Sequence, residues 1–220
     1  MHSGGRPQPP RPCPRGCRRR RGHQRAGPAL DAQHRRPRPP HQPGDGGHRR
    51  PPLARCRLAQ AARIAAPLGW HVESYTNPAI IAAAQETLAT LPVPVVFDHF
   101  ARAIAGPDDP SLRPLPQLLA AGKAYVKLSA PHRISALPDY GNVAPIARTF
   151  VEASPHQVIW GSDWPHAVRP AGRAYGPSAA APFRPEDDGL ALNRLAEWAG
   201  DAKTLQAILA DNPARLYGFP

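Results

Sequence analysis

The chain predicts an α/β fold with a parallel sheet, part of a (β/α) barrel, and three observations carry this. Strand-like and helix-like runs alternate from about residue 53 onward, and such alternation builds a parallel sheet through crossover connections. No Gly fingerprint of the dinucleotide-binding kind follows any strand, which argues against a nucleotide-binding doubly wound sheet. Polar residues collect where each strand run ends, and in barrels the strand C-terminal ends carry the chemistry. Four strand runs are readable in residues 53–220, about half of an eight-stranded barrel.

The elements follow in order. Residues 57–66 are Ala-rich, with Leu58, Ala61, Ala62 and Ala65 at helical spacing, and Pro67-Leu68-Gly69 stops them. Trp70 to Tyr75 reads as the first strand. Pro78 to Leu91 reads as one helix, capped by Asn77. Val93 to His99 is the second strand, and Leu112 to Ala121 a helix ended by Gly122. Ala124 to Ser129 is the third strand and Val143 to Ala153 a helix. Gln157 to Trp160 is the fourth strand, and a Gly/Pro/Ala loop spans 169–185. Helices are expected over 187–199 and 202–210, with Pro213 opening a closing turn.

Residues 1–52 have another character. They hold 13 Arg, 12 Pro and two acids, a net charge of +11, whereas residues 53–220 are close to balanced. With Leu30 almost the only large aliphatic residue, this segment has too little to bury to offset its ordering entropy. It is expected to be a disordered basic segment, with the barrel portion occupying 53–220. Its Arg18–Arg21 run suits nonspecific phosphate binding, but no aromatic residue is interleaved to stack on bases, so no specific nucleic-acid partner is expected. No apolar run is long enough to span a membrane. Three Cys argue against a disulfide scaffold and suit a reducing cytoplasm.

The candidate site gathers at the strand ends. Asp163 follows the fourth strand in Val158-Ile159-Trp160-Gly161-Ser162-Asp163-Trp164-Pro165-His166 and is the leading general base. The same stretch also suits a helix start, with Ser162 or Asp163 as cap and Pro165 in the first turn. His99 ends the second strand, Arg102 stands three residues on, and Arg133 follows the third strand. A carboxylate, a His and two Arg at one rim suit hydrolysis of an anionic small molecule, since Arg clamps carboxylates in bidentate fashion. Asp98 and His99 could instead satisfy each other or cap a helix, and Lys127 could be either a buried paired residue or a catalytic one. Trp160 and Trp164 read as packing.

Four motifs, V-V-F-D-H-F-A-R (95–102), V-K-L-S-A-P-H-R (126–133), W-G-S-D-W-P-H (160–166) and D-N-P-A-R-L-Y-G-F (211–219), occur in this order. Together with G-W-H-V-E (69–73) they make residues 55–219 resemble the amidohydrolase-related family of TIM-barrel hydrolases, in its 2-pyrone-4,6-dicarboxylate lactonase-like branch. The resemblance implies a cytoplasmic hydrolase opening a lactone of a carboxylated small molecule. In it Asp163 activates water, His99 polarises the carbonyl or binds a metal, Arg102 and Arg133 hold acidic groups, and His71 lines the pocket. It also implies that a divalent metal such as zinc is a candidate cofactor. The family's His-x-His on its first strand has no counterpart among the ten His of this chain, so the residues themselves lead us to expect no metal and weak turnover. An inactive relic, and nonspecific nucleic-acid binding through the basic arm, are the alternatives. Open sheet edges predict self-association.

Overall fold

The computed structural model describes residues 51–104, 106–167 and 182–219. The expectations for residues 1–50 and for most of the 169–185 loop lie outside the described residues. The first helix, α1, is Pro51–Ala65. It starts earlier than Arg57 and overlaps the last two residues of the segment expected to be disordered. Two prolines can occupy a first turn, where their missing N–H groups would have no partner anyway.

Four short strands follow: β1 (Val72–Ser74), β2 (Val95–Phe97), β3 (Ala124–Leu128) and β4 (Val158–Trp160). They pair in chain order, all parallel. The α/β fold with a parallel sheet of four strands is therefore as expected. Between the strands lie α2 (Pro78–Ala83), α3 (Gln85–Thr90), α4 (Pro114–Ala120) and α5 (Ala144–Ala153). The helix expected over 78–91 is two helices, broken at buried Ala84, whose ψ of 5° departs from helical geometry. Asn77 caps α2 as expected, its side chain accepting from the Ile80 N–H at 3.1 Å. Gly122, at φ +67°, takes the left-handed position beyond α4.

After β4 come α6 (Asp188–Ala199), α7 (Ala202–Gln206), a π-helical turn (Ala207–Asp211) and α8 (Asn212–Tyr217). Pro213 was expected to open a turn. It lies instead in the first turn of α8, where a proline costs no hydrogen bond.

The two faces of the sheet differ. Val72, Val95, Phe97, Ala124, Val126, Leu128 and Val158 point into the main core, packed with Leu115, Leu119, Phe150 and Leu195 from the helices. The alternate residues Val96, Tyr125 and Ile159 form a second, small apolar group on the opposite face, against Leu216 of α8. A period of two along each strand separates the sets. On that second face Lys127 bridges two carboxylates, that of Glu73 on β1 and, at 3.0 Å, that of Asp98 after β2. Of the two readings of Lys127, the structure selects the paired one. Burial lowers its pKa, but hydrogen bonds to Glu73 and Asp98 outweigh burial and raise it.

Cys56 in α1 is buried. No helix among the described residues is long and apolar enough to cross a membrane.

Candidate active site

The rim beyond the strand C-terminal ends is built from unusual backbone. His99, Phe100, Ala101 and Arg102 all have φ between +51° and +55°. None is Gly, so each carries a cost of about 1–2 kcal/mol for the left-handed conformation. Burial holds the turn: Phe100 and Ala101 are fully buried, and the Phe100 ring meets Trp198 of α6 edge-on at 5.6 Å. Ala130 after β3, and Asp163 and His166 after β4, also have positive φ. Strain of this kind clusters where a fold aims side chains at a ligand.

These turns bring His99, Arg102, Arg133 and Asp163 together. His99 Nε2 stands 3.7 Å from Asp163 Oδ1, and His99 Nδ1 is 2.8 Å from Ser129 Oγ. Arg133 Nη2 donates to Asp163 Oδ2 at 3.3 Å. Tyr75, just past β1, is their common floor. Its ring meets His99 edge-on at 5.5 Å, with the guanidinium carbons of Arg102 and Arg133 at 5.2 and 5.8 Å. Burial pushes the His99 pKa below its ordinary value, and Arg133 and Lys127 push the same way, against Asp163 and Asp98. The imidazole is therefore neutral at neutral pH.

The helix-start reading of 162–165 does not hold. Residues 164–167 form a turn and a bridge rather than a helix; Ser162 Oγ accepts from the Trp164 N–H at 3.1 Å, and the His166 N–H donates to the Asp163 carbonyl at 2.9 Å. Trp160 is partly buried against the core, as expected, whereas Trp164 is 77% exposed and packs little. Asp98 and His99 do not satisfy each other: Asp98 turns to Lys127 and His99 to Ser129.

His71 is a correction. It precedes the first residue of β1, at the N-terminal end of the sheet, and its ring meets Tyr217 of α8 at 5.1 Å. The expected strand began at Trp70 and would have carried His71 inside it; the register of β1 leaves it outside, away from the rim. Sequence reasoning saw Ser129 only as a polar residue ending the third strand, with no role, and passed over Tyr75; these are the two residues that hold His99. A hydroxyl and a phenol just past β-prone runs were the available signal.

A second polar group adjoins the rim. Tyr140 Oη donates to Glu186 Oε1 at 2.7 Å, and Arg184 Nε donates to the same oxygen at 2.8 Å. His132 Nδ1 lies 3.9 Å from Glu186, and burial, with Arg184 and Arg133 nearby, lowers its pKa to about 4. An open cavity of about 600 Å³ lies beside His132, Tyr140 and Arg194.

The residues present do not fit a zinc ion. At the rim His99 and Asp163 are the two possible ligands that face one another, and Arg133 already places a cation on the Asp163 carboxylate. A zinc site takes three or four protein ligands. No group of three His, Cys, Asp or Glu suited to a metal occurs among the described residues.

The Amidohydrolase family model matches residues 19–219. A 4-sulfomuconolactone hydrolase of Hydrogenophaga intermedia is 36% identical over 154 residues, which is 69% of this chain and 48% of the relative. A 2-pyrone-4,6-dicarboxylate hydrolase of Comamonas testosteroni is 31% identical over 73% of this chain and 52% of its own length. The chain thus spans about half the length of these curated relatives. Among solved structures, a probable 2-pyrone-4,6-dicarboxylic acid hydrolase of Acinetobacter baumannii, with citric acid bound, superposes with a TM-score of 0.57 at 27% identity. That match covers 72% of this chain and 56% of the solved one. By the family match and by its fold, the chain belongs to the amidohydrolase family.

Proposed function

We propose that the chain hydrolyses the ester bond of a lactone bearing acidic groups. The observation that carries this reading is the meeting of Asp163, His99, Arg133 and Arg102 over Tyr75, beyond the C-terminal ends of three parallel strands. The lactone-hydrolysing relatives supply the substrate class.

The chemistry follows from the groups in place. Asp163 Oδ1 takes a proton from water, and the resulting hydroxide adds to the lactone carbonyl. Negative charge builds on the carbonyl oxygen, where the Nε2–H of neutral His99 donates to it. The C–O bond of the ring then breaks, and the proton on Asp163 passes to the departing oxygen. The product is a ring-opened acid. Arg133 occupies Oδ2 of Asp163 and so leaves Oδ1 facing His99 and the water. Sequence reasoning gave Arg133 to the substrate. Here it orients the base, and its remaining N–H groups are left for an acidic substituent, a role shared with Arg102.

Without the His pair, fewer groups polarise the carbonyl, so turnover is expected to be weak. The test is ring opening of 2-pyrone-4,6-dicarboxylate and of 4-sulfomuconolactone, followed by loss of ring absorbance. Slow hydrolysis that disappears in Asp163→Asn supports the reading. Hydrolysis that Asp163→Asn leaves intact, or none with either lactone at high protein concentration, overturns it.

A further inference from the structure

We infer that Ser129 is a positioning residue that sets the tautomer of His99, by donating its hydroxyl proton to Nδ1 so that the ring proton sits on Nε2, facing Asp163. The inference rests on the proposed role of His99 and adds a residue to it.

The argument starts from proton counting. A neutral imidazole carries one N–H, on Nδ1 or on Nε2. Burial, the largest influence on His99, keeps the ring neutral at neutral pH. Its two nitrogens face different groups: Nε2 looks at Asp163 Oδ1, 3.7 Å away, and Nδ1 at Ser129 Oγ, 2.8 Å away. An ionised carboxylate only accepts, whereas a hydroxyl can either donate or accept. With the proton on Nδ1, the Nε2 lone pair would face a carboxylate oxygen, and two acceptors would repel. With the proton on Nε2, the carboxylate meets an N–H and the serine turns its O–H to Nδ1. Only the second arrangement satisfies both sides.

The surroundings keep Ser129 in place for this task. It is 3% exposed and stands one residue past β3, so water does not compete freely for Nδ1. Gly161, past the end of neighbouring β4, lies beside it: a Cβ there would make ordinary contacts with Ser129 Cβ at 3.7 Å and Lys127 Cδ at 3.5 Å. Ala130, the next residue, takes the left-handed conformation at φ +50°, which turns the chain away immediately after the serine. The consequence is chemical. Only the Nε2–H tautomer can donate to a developing oxyanion beside Asp163.

The experiment reads the tautomer directly, in the full chain, from the imidazole ¹⁵N shifts of His99, assigned with His99→Gln. The wild type should show a protonated Nε2 and an unprotonated Nδ1. Ser129→Ala should give a mixture or the opposite tautomer, with lactone kcat down about tenfold or more and KM little changed. Ser129→Thr, which keeps the hydroxyl, should restore the wild-type shifts. A wild-type ring protonated on Nδ1 overturns the inference, independently of how any variant folds. So does a folded Ser129→Ala variant with unchanged ring shifts. A tautomer that shifts in Ser129→Ala without any change in lactone turnover upholds the serine's role on the ring and sinks the catalytic reading of His99 instead.

Discussion

The two ends of the sheet are built on opposite terms. At the C-terminal end the backbone is strained at His99–Arg102, Ala130, Asp163 and His166, and the Asp163 carboxylate is held loosely, with His99 and Arg133 at 3.7 and 3.3 Å from it. At the N-terminal end of β4 the bonds are short. Asn212, fully buried at the start of α8, donates through Nδ2 to the carbonyls of Pro155 and Val158, each at 2.7 Å. Arg215 donates to the carbonyl of His156 at 2.6 Å and to Asn212 Oδ1 at 2.9 Å. The D-N-P-A-R-L-Y-G-F motif is therefore a clamp between the C-terminal helix and β4. Chemistry is gathered where the strands end and stability where they begin, the division expected of a barrel.

The sharpest way to break this contrast is to swap one side chain at each end. Asp163→Asn should lower lactone turnover by about 10²–10⁴-fold, because an amide cannot take the water's proton. Its melting temperature should stay near the wild type's, since the pair it loses is partly exposed. A large loss of stability with activity per folded molecule intact would reverse the assignment of the two ends.

Asn212→Ala should do the opposite. It leaves one buried and one partly buried carbonyl without their shared donor, at a cost of about 2–4 kcal/mol. Urea unfolding measures the loss, and turnover per folded molecule should be unchanged. A variant as stable as the wild type would mean that the clamp adds nothing.

Acid should affect the rim through its neutral histidines. The His132 pKa is about 4 in the folded chain against 6.5 ordinarily, with burial the main cause and Arg184 and Arg133 next. The unfolded chain binds more protons between these values, so stability falls as pH drops from about 6.5 to about 4 and levels off below. His132→Gln should flatten that part of a melting temperature–pH profile. His99 is displaced in the same direction by burial, and so is His71 at the other end, so some slope should remain. A variant profile superimposable on the wild type's would exclude His132.

The smallest effect concerns the sheet's flanks. Among the described residues β1 and β4 each pair with a single strand. Unpaired strand edges template association, so light scattering of the full chain should rise with protein concentration and with salt, which screens the basic charge. A monodisperse monomer across both series would show the flanks to be protected.

Local chemistry made much of this readable in advance. Asn77 before Pro78, Gly122 after an apolar helix, and the β-prone runs 95–97, 124–128 and 158–160 announce their structures because caps, breakers and alternation act over a few residues. Asp163 was legible for the same reason, as an acid just past a strand. What escaped depended on register or on distant partners. His71 was misplaced because a strand's first residue is set by pairing with its neighbour, here Val72 with Val95. The break at Ala84 has no local marker, since Ala favours helix.

By itself, then, the sequence determined the order of helices and strands, the parallel sheet and the residue types available at its rim, because periodicity and capping are properties of neighbouring residues. Tertiary structure alone decided the partners. It put Ser129 on His99, Arg133 on Asp163 and Lys127 between Glu73 and Asp98, and made Asn212 and Arg215 a clamp. Each of these bonds joins residues about 25 to 60 positions apart, or lies across adjacent strands, where only the packing of the sheet brings donor to acceptor.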